Sequence, residues 1–140
     1  MKKIYIASDH AGFKLKSSIL LKFAKKKKII DLGPNSCISV DYPDYAKKLS
    51  KKIASDKGSL GILICGSGMG MAITANKIKN VRAALCYSNK NTKLSRLHNN
   101  ANIITLGERL IDKNKAISLI KVFLSTKFEG GRHLRRVKKI

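Results

Sequence analysis

The chain has few cysteines, few acidic residues and no long hydrophobic run, and each shortage closes off a class of protein. Its three cysteines, Cys37, Cys65 and Cys86, are an odd number at wide spacing in 140 residues. A chain of that length buries one core without covalent staples, so a single domain over residues 1–140 is expected, with no disulfide framework and a reducing cytosol as its setting. No C-x-x-C or H-x-x-x-H pair occurs and the histidines lie far apart in sequence, which argues against zinc, so no metal is expected. No apolar stretch approaches the roughly 20 residues that span a bilayer. Met1-Lys2-Lys3 begins like a signal peptide, but only Ile4 to Ala7 separate it from Ser8-Asp9-His10, too little for export. A cytoplasmic protein with no membrane partner is the expectation.

Acidic residues number 8 against 30 basic ones, a net charge of +22. Such an excess invites nucleic acid, through phosphate neutralisation. Only Arg82, Arg96, Arg109, Arg132, Arg135 and Arg136 are arginine, however, and the lysines spread over helix faces such as Lys47, Lys48, Lys51 and Lys52. That distribution describes a solvated lysine-rich surface and argues against a specific nucleic-acid partner.

Apolar β-branched runs alternate with helical periods, the pattern of parallel strands joined by crossover helices. Strands are predicted over Lys3 to Ser8, Ile29 to Leu32, Leu60 to Cys65, Arg82 to Cys86 and Ile103 to Leu106. Helices are predicted over Phe13 to Lys25, Asp44 to Ser55, Ser88 to Leu97 and Lys113 to Ser125, with another opening after the glycines near Cys65. Pro43 suits a first helical turn. Glu129-Gly130-Gly131 separates the last helix from a basic tail that begins at about residue 130. The fold class is therefore α/β: a five-stranded parallel sheet covered by helices on both faces.

Open parallel sheets bind ligands beyond the carboxyl ends of their strands. The residues there are Asp9-His10, then Cys65-Gly66-Ser67-Gly68-Met69-Gly70, then Gly107-Glu108-Arg109. Three close glycines leading into a helix let the backbone approach an anion with free N–H groups. Their spacing is not that of G-x-G-x-x-G, and no ribose-binding carboxylate follows, so a dinucleotide is not expected. Cys65, at the end of an apolar strand beside these amides, is a candidate base or nucleophile, since positive dipoles favour a thiolate. Cys37 and Cys86 read as small buried hydrophobes. His98 and Asn99 at a helix end leave a Cys-His-Asn hydrolase open as an alternative. Arg132, Arg135 and Arg136 with His133 are suited to gripping a phosphate.

Ser8-Asp9-His10-Ala11-Gly12, Asp41-Tyr42-Pro43, Cys65 to Gly70, Ala75-Asn76-Lys77, His98-Asn99 and Glu129-Gly130-Gly131-Arg132-His133 follow one another along the whole chain. Together they resemble the family of type B ribose-5-phosphate isomerases and their galactose-6-phosphate and allose-6-phosphate relatives. The resemblance implies a Rossmann-like three-layer fold, a homodimer or homotetramer, no metal or cofactor, and aldose–ketose isomerisation of a sugar phosphate through an enediolate. It implies that Cys65 moves the carbon-bound proton and Ser67 the hydroxyl protons, and that amides from Gly66 through Gly68 to Gly70 hold the enediolate oxygen. His98, helped by Asp9, would open the sugar ring, with Tyr42 and Asn99 contacting the sugar. His10, Arg109, Arg132 and Arg136 would bind the phosphate, and His98, Asn99 and the tail arginines would come from a neighbouring subunit. Ribose 5-phosphate is the expected substrate, with a six-carbon phosphate as alternative.

Overall fold

The computed structural model describes residues 2–140 and contains one five-stranded sheet of order β2-β1-β3-β5-β4. The strands are β1 (Ile4–Ser8), β2 (Ile29–Asp31), β3 (Leu60–Cys65), β4 (Ala83–Leu85) and β5 (Ile103–Gly107), and every pairing is parallel. The helices are α1 (Phe13–Phe23), α2 (Tyr42–Ser55), α3 (Met69–Ala75), α4 (Asn89–Leu97), α5 (Lys113–Ser125) and α6 (Arg132–Val137). The expected three-layer, Rossmann-like arrangement is present.

β3 is buried at all six positions, so alternate residues feed opposite faces. Ile62 and Ile64 join Ile4, Ile6, Ile104 and Leu106 against Leu15, Ile19 and Phe23 of α1 and Leu119, Ile120 and Phe123 of α5. Leu63 and Cys65 join Tyr5, Ala7 and Ile103 against Ala46, Leu49 and Ile53 of α2 and Met71 and Ala75 of α3. Each such aliphatic side chain, fully buried, contributes about 1.5–3 kcal/mol, so the two layers clamp the sheet from both sides.

Element boundaries differ from the sequence reading by a residue or two, with physical reasons. α2 begins at Tyr42, which puts Pro43 in its first turn, where a missing N–H costs nothing. Ser88 is outside α4 as its N-cap, its side chain accepting from the Asn91 N–H while Asn91 reciprocates. The basic tail is not simply solvated: residues Arg132–Val137 form α6, and His133 is buried. Cys37 is exposed, contrary to the expectation of a buried hydrophobe, because it lies in the coil after β2, away from both layers. Among the described residues no helix is long and apolar enough to cross a membrane.

Register places the site. Ser8 is level with Ile64, and Cys65 with Gly107, so the segments following β1, β3 and β5 emerge side by side. β1 and β3 are neighbours although β2 comes between them in sequence, which makes their shared carboxyl edge the topological switch point of the sheet.

Candidate active site

A cavity of about 440 Å³ opens at that edge, lined by Asp9, His10, Ala11, Tyr42, Cys65, Gly66, Ser67, Gly70, Arg109 and Leu110. Its volume falls in the range of small-molecule sites. Eight of the sequence-predicted residues are therefore gathered by the ends of three strands and the start of α2.

Cys65 is buried, and the Gly68 N–H donates to its Sγ at 3.1 Å. The thiol is thus held at the glycine turn, on the cavity wall. Gly68 has φ +76°, a left-handed conformation that costs a side chain dearly, and it starts α3. Ser67 Oγ accepts from the Met69 N–H at 3.2 Å. Two amides of the turn are therefore committed to the sulfur and the hydroxyl, while the next N–H groups of α3 belong to a first helical turn and have no i−4 partner. Gly70 is required by the Tyr42 ring, since a Cβ there would stand 2.5 Å from the ring carbon Cε2. Absence of a side chain at this point lets the tyrosine lie over the turn.

Asp9 is buried, with Oδ1 accepting from the Gly12 N–H at 2.9 Å and its own N–H donating to the Ile64 carbonyl at 3.1 Å. One carboxylate oxygen thereby fixes the β1–α1 turn and the other is left for the cavity. His10 is anchored by Nδ1, 3.2 Å from the Val40 backbone. The loop after β5 is stitched to the loop after β3: the Glu108 N–H donates to the Cys65 carbonyl and the Arg109 N–H to the Gly66 carbonyl. That stitching lays the Arg109 guanidinium across Gly66. Burial pushes the neighbouring Glu108 carboxyl up and the Asp9 charge adds to the effect, against the Leu15 N–H, Lys14 and Arg109.

His98, Asn99, Arg132 and Arg136 are elsewhere. α4 starts beyond the carboxyl end of β4, and its His98 C-cap leads through residues 99–102 into the start of β5, where Asn102 bonds Arg82 and Gly61. These residues therefore sit at the amino edge of the sheet. The five residues of β5 alone separate the two edges by roughly 17 Å at about 3.3 Å per residue. α5 ends at the same edge, where buried Arg96 donates through Nε to the Thr126 carbonyl and the Glu129 N–H donates to the Leu97 carbonyl. His98, Asn99 and α6 thus form a second cluster, with Arg132, Arg136 and Asn99 exposed. A Cys-His-Asn constellation does not form within one chain, which removes the intramolecular hydrolase alternative.

Folding also brings together two histidines that the sequence kept far apart. The rings of His98 and His133 are stacked, with centroids 4.1 Å apart and planes 14° apart. Glu129 Oε2 is 3.8 Å from His98 Nε2 and 3.6 Å from His133 Nε2. The three could be taken for metal ligands, but stacked imidazoles direct their in-plane lone pairs side by side instead of at one point, the opposite of a tetrahedral site. Sequence reasoning missed Glu129, taking it for loop punctuation; its four-residue spacing from His133 was the available signal.

A thiol, a hydroxyl, imidazole and guanidinium groups and free amides at the switch point of a parallel sheet define an α/β enzyme equipped for small anionic substrates. More particularly, a family model described as Ribose/Galactose Isomerase matches residues 4–140, and the chain belongs to that family. A ribose 5-phosphate isomerase structure from Thermotoga maritima is 49% identical, with TM-score 0.95, covering 99% of this chain and 96% of that one. Ribose-5-phosphate isomerase B from Mycoplasma genitalium with bound ribulose-5-phosphate is 44% identical, with TM-score 0.92, covering 98% and 92%. Ribose-5-phosphate isomerase B of Escherichia coli (strain K12) is 38% identical over 141 residues, 100% of this chain and 95% of that protein.

Proposed function

We propose that this chain interconverts ribose 5-phosphate and ribulose 5-phosphate, with Cys65 as the base that moves the proton between C2 and C1. The observation that carries the reading is the shared cavity: Cys65, Ser67, His10 and Arg109 line one space at the carboxyl edge. In the open-chain aldose, Cys65 takes the proton from C2 and returns it to C1, while Ser67 passes the hydroxyl proton between O1 and O2. Main-chain N–H groups of the Gly66–Gly70 turn hold the enediolate oxygen, His10 and Arg109 bind the phosphate, and Tyr42 contacts the sugar. A positioned base contributes roughly 10²- to 10⁴-fold and one oxyanion donor roughly 10²- to 10³-fold, so the two must act together.

The opposite-edge cluster completes the site from a second copy. His98, helped by Asp9, opens the furanose; Asn99 contacts the sugar; Arg132 and Arg136 join the phosphate grip. Support comes from the separation of the edges and from exposed arginines that meet no carboxylate among the described residues. The working form is a homodimer or a pair of such dimers, in the cytosol, where free thiols persist.

The test is direct. Purified protein, with chelator present, is incubated with ribose 5-phosphate, galactose 6-phosphate or allose 6-phosphate, and ketose formation is followed. Rapid conversion of the pentose is expected; preference for a six-carbon phosphate would reassign the substrate. Cys65→Ala removes nearly all turnover while leaving binding intact, and comparable activity in that variant would remove Cys65 from the mechanism. Mixed after dissociation, the inactive Cys65→Ala and His98→Ala variants recover about one quarter of wild-type turnover by random pairing, whereas no recovery would rule out a shared site.

A further inference from the structure

We infer that Glu129 is a positioning residue for His98, acting with the stacked His133 ring to fix which imidazole nitrogen faces the sugar. This rests on the reading of His98 as the ring-opening group and goes beyond it, because nothing in that reading gives Glu129 or His133 a part.

Four observations converge on the carboxylate. Its Oε2 lies 3.8 Å from His98 Nε2 and 3.6 Å from His133 Nε2. Its backbone N–H donates to the Leu97 carbonyl at 3.1 Å, so the residue is tethered one position before His98 in space and cannot drift from it. Its side chain is 55% exposed and makes no other ion pair among the described residues. Finally, the Nε2 atom of buried His133 has no hydrogen-bond partner, and the Glu129 carboxylate stands 3.6 Å from it.

The separations are those of an ion pair, longer than the 2.7–3.2 Å of a formed hydrogen bond, and a small rotation of the carboxylate closes either one. His98 is restrained on two sides at once. His133 covers one face of its ring, so the plane cannot tilt without losing the stack. Glu129 stands at its Nε2 edge and, as an acceptor, selects the tautomer with the proton on Nε2. Nδ1 is then the unprotonated nitrogen, free to accept a proton from a sugar bound by the second copy. Ring opening breaks the bond between C1 and the ring oxygen; the anomeric hydroxyl gives up its proton and the ring oxygen gains one, with no net change. An imidazole of fixed plane and tautomer serves that transfer better than one that spins.

Ribulose 5-phosphate separates this role from a merely structural one. With its C5 oxygen phosphorylated it has no furanose form, so uptake of solvent deuterium at its C1 needs the carbon-acid step at Cys65 and no ring opening. Both reactions are measured for Glu129→Ala, Glu129→Gln and His98→Ala. Glu129→Ala is expected to lower kcat for ribose 5-phosphate about tenfold, a part of the roughly 10²- to 10⁴-fold that a positioned acid–base group supplies. Deuterium uptake into ribulose 5-phosphate stays within about twofold of wild type in the same variant. Glu129→Gln recovers part of the loss, because its amide oxygen still accepts from Nε2–H. Equal losses in both reactions would make Glu129 a residue of assembly and overturn the inference, as would no loss in either. If His98→Ala leaves ribose 5-phosphate conversion intact, or the wild type forms no ketose, the underlying reading fails and Glu129 falls with it.

Discussion

Burial decides what His133 can do. Between Arg132 and Arg136 it reads as one more cation of a phosphate grip, yet its side chain is buried beneath the His98 ring. Burial first, then the charges of His98, Arg132 and Arg136, hold its protonation below the ordinary imidazole range, with Glu129 opposing. The unfolded chain therefore binds the proton first as pH falls from about 6.5. Docking of α6 is worth most above that pH and weakens as pH drops through the lower folded-state value. Protection factors along α6, meaning exchange rates corrected for their intrinsic slowing in acid, should fall as pH drops below about 6.5, and His133→Phe should abolish the dependence; flat protection in the wild type would count against it. Cys65, Asp9, His10 and Arg109 were legible because each ends a strand or lies within two residues of its carboxyl end. Glu129 was not, since only folding brings it to His98, and Cys37 carries no local sign of exposure.

At the level of elements, α1 hides a cation in its apolar stripe. Lys16 sits among Leu15, Ile19 and Phe23, and its Nζ donates to both oxygens of Asp31, at 2.8 and 3.1 Å, and to the Pro34 carbonyl. Its side chain is 1% exposed, so this ion pair ties α1 to the end of β2. Removing one partner strands a buried charge: Asp31→Ala should cost about 3 kcal/mol, read as a lower urea midpoint. Adding Lys16→Met should return most of it, because a neutral chain of similar length leaves no charge to satisfy; a double variant no better than the single would reject this account. Hydrophobic periodicity located the strands and the four longer flanking helices within two residues, since each has a face to bury. It could not announce α6, whose six residues show only one buried side chain, nor the pairing of Lys16 with Asp31, which depends on how α1 lies on the sheet.

For the molecule as a whole, the sequence spoke clearly about layers and carboxyl-end chemistry and said nothing about strand order. That β5 lies between β3 and β4 is a packing result, and it is what lays Arg109 beside Cys65. The +22 charge has a kinetic consequence for a phosphorylated substrate. Attraction over the Debye length, about 30 Å at 0.01 M salt and about 3 Å at 1 M, draws the anion in. kcat/KM for ribose 5-phosphate should fall steeply as salt rises while kcat holds, and a salt-independent kcat/KM would show that the charge has no part in capture.

Placing Cys65 on one rim of the sheet and His98 on the other gives the folded chain a sociable chemistry. On the proposed shared site, a solitary copy owns two incomplete halves and a reciprocal pair finishes both together. Catalytic output per molecule then becomes a reading of crowding, fading on dilution although every helix and strand persists, and a defective copy silences only the half its neighbour needed from it.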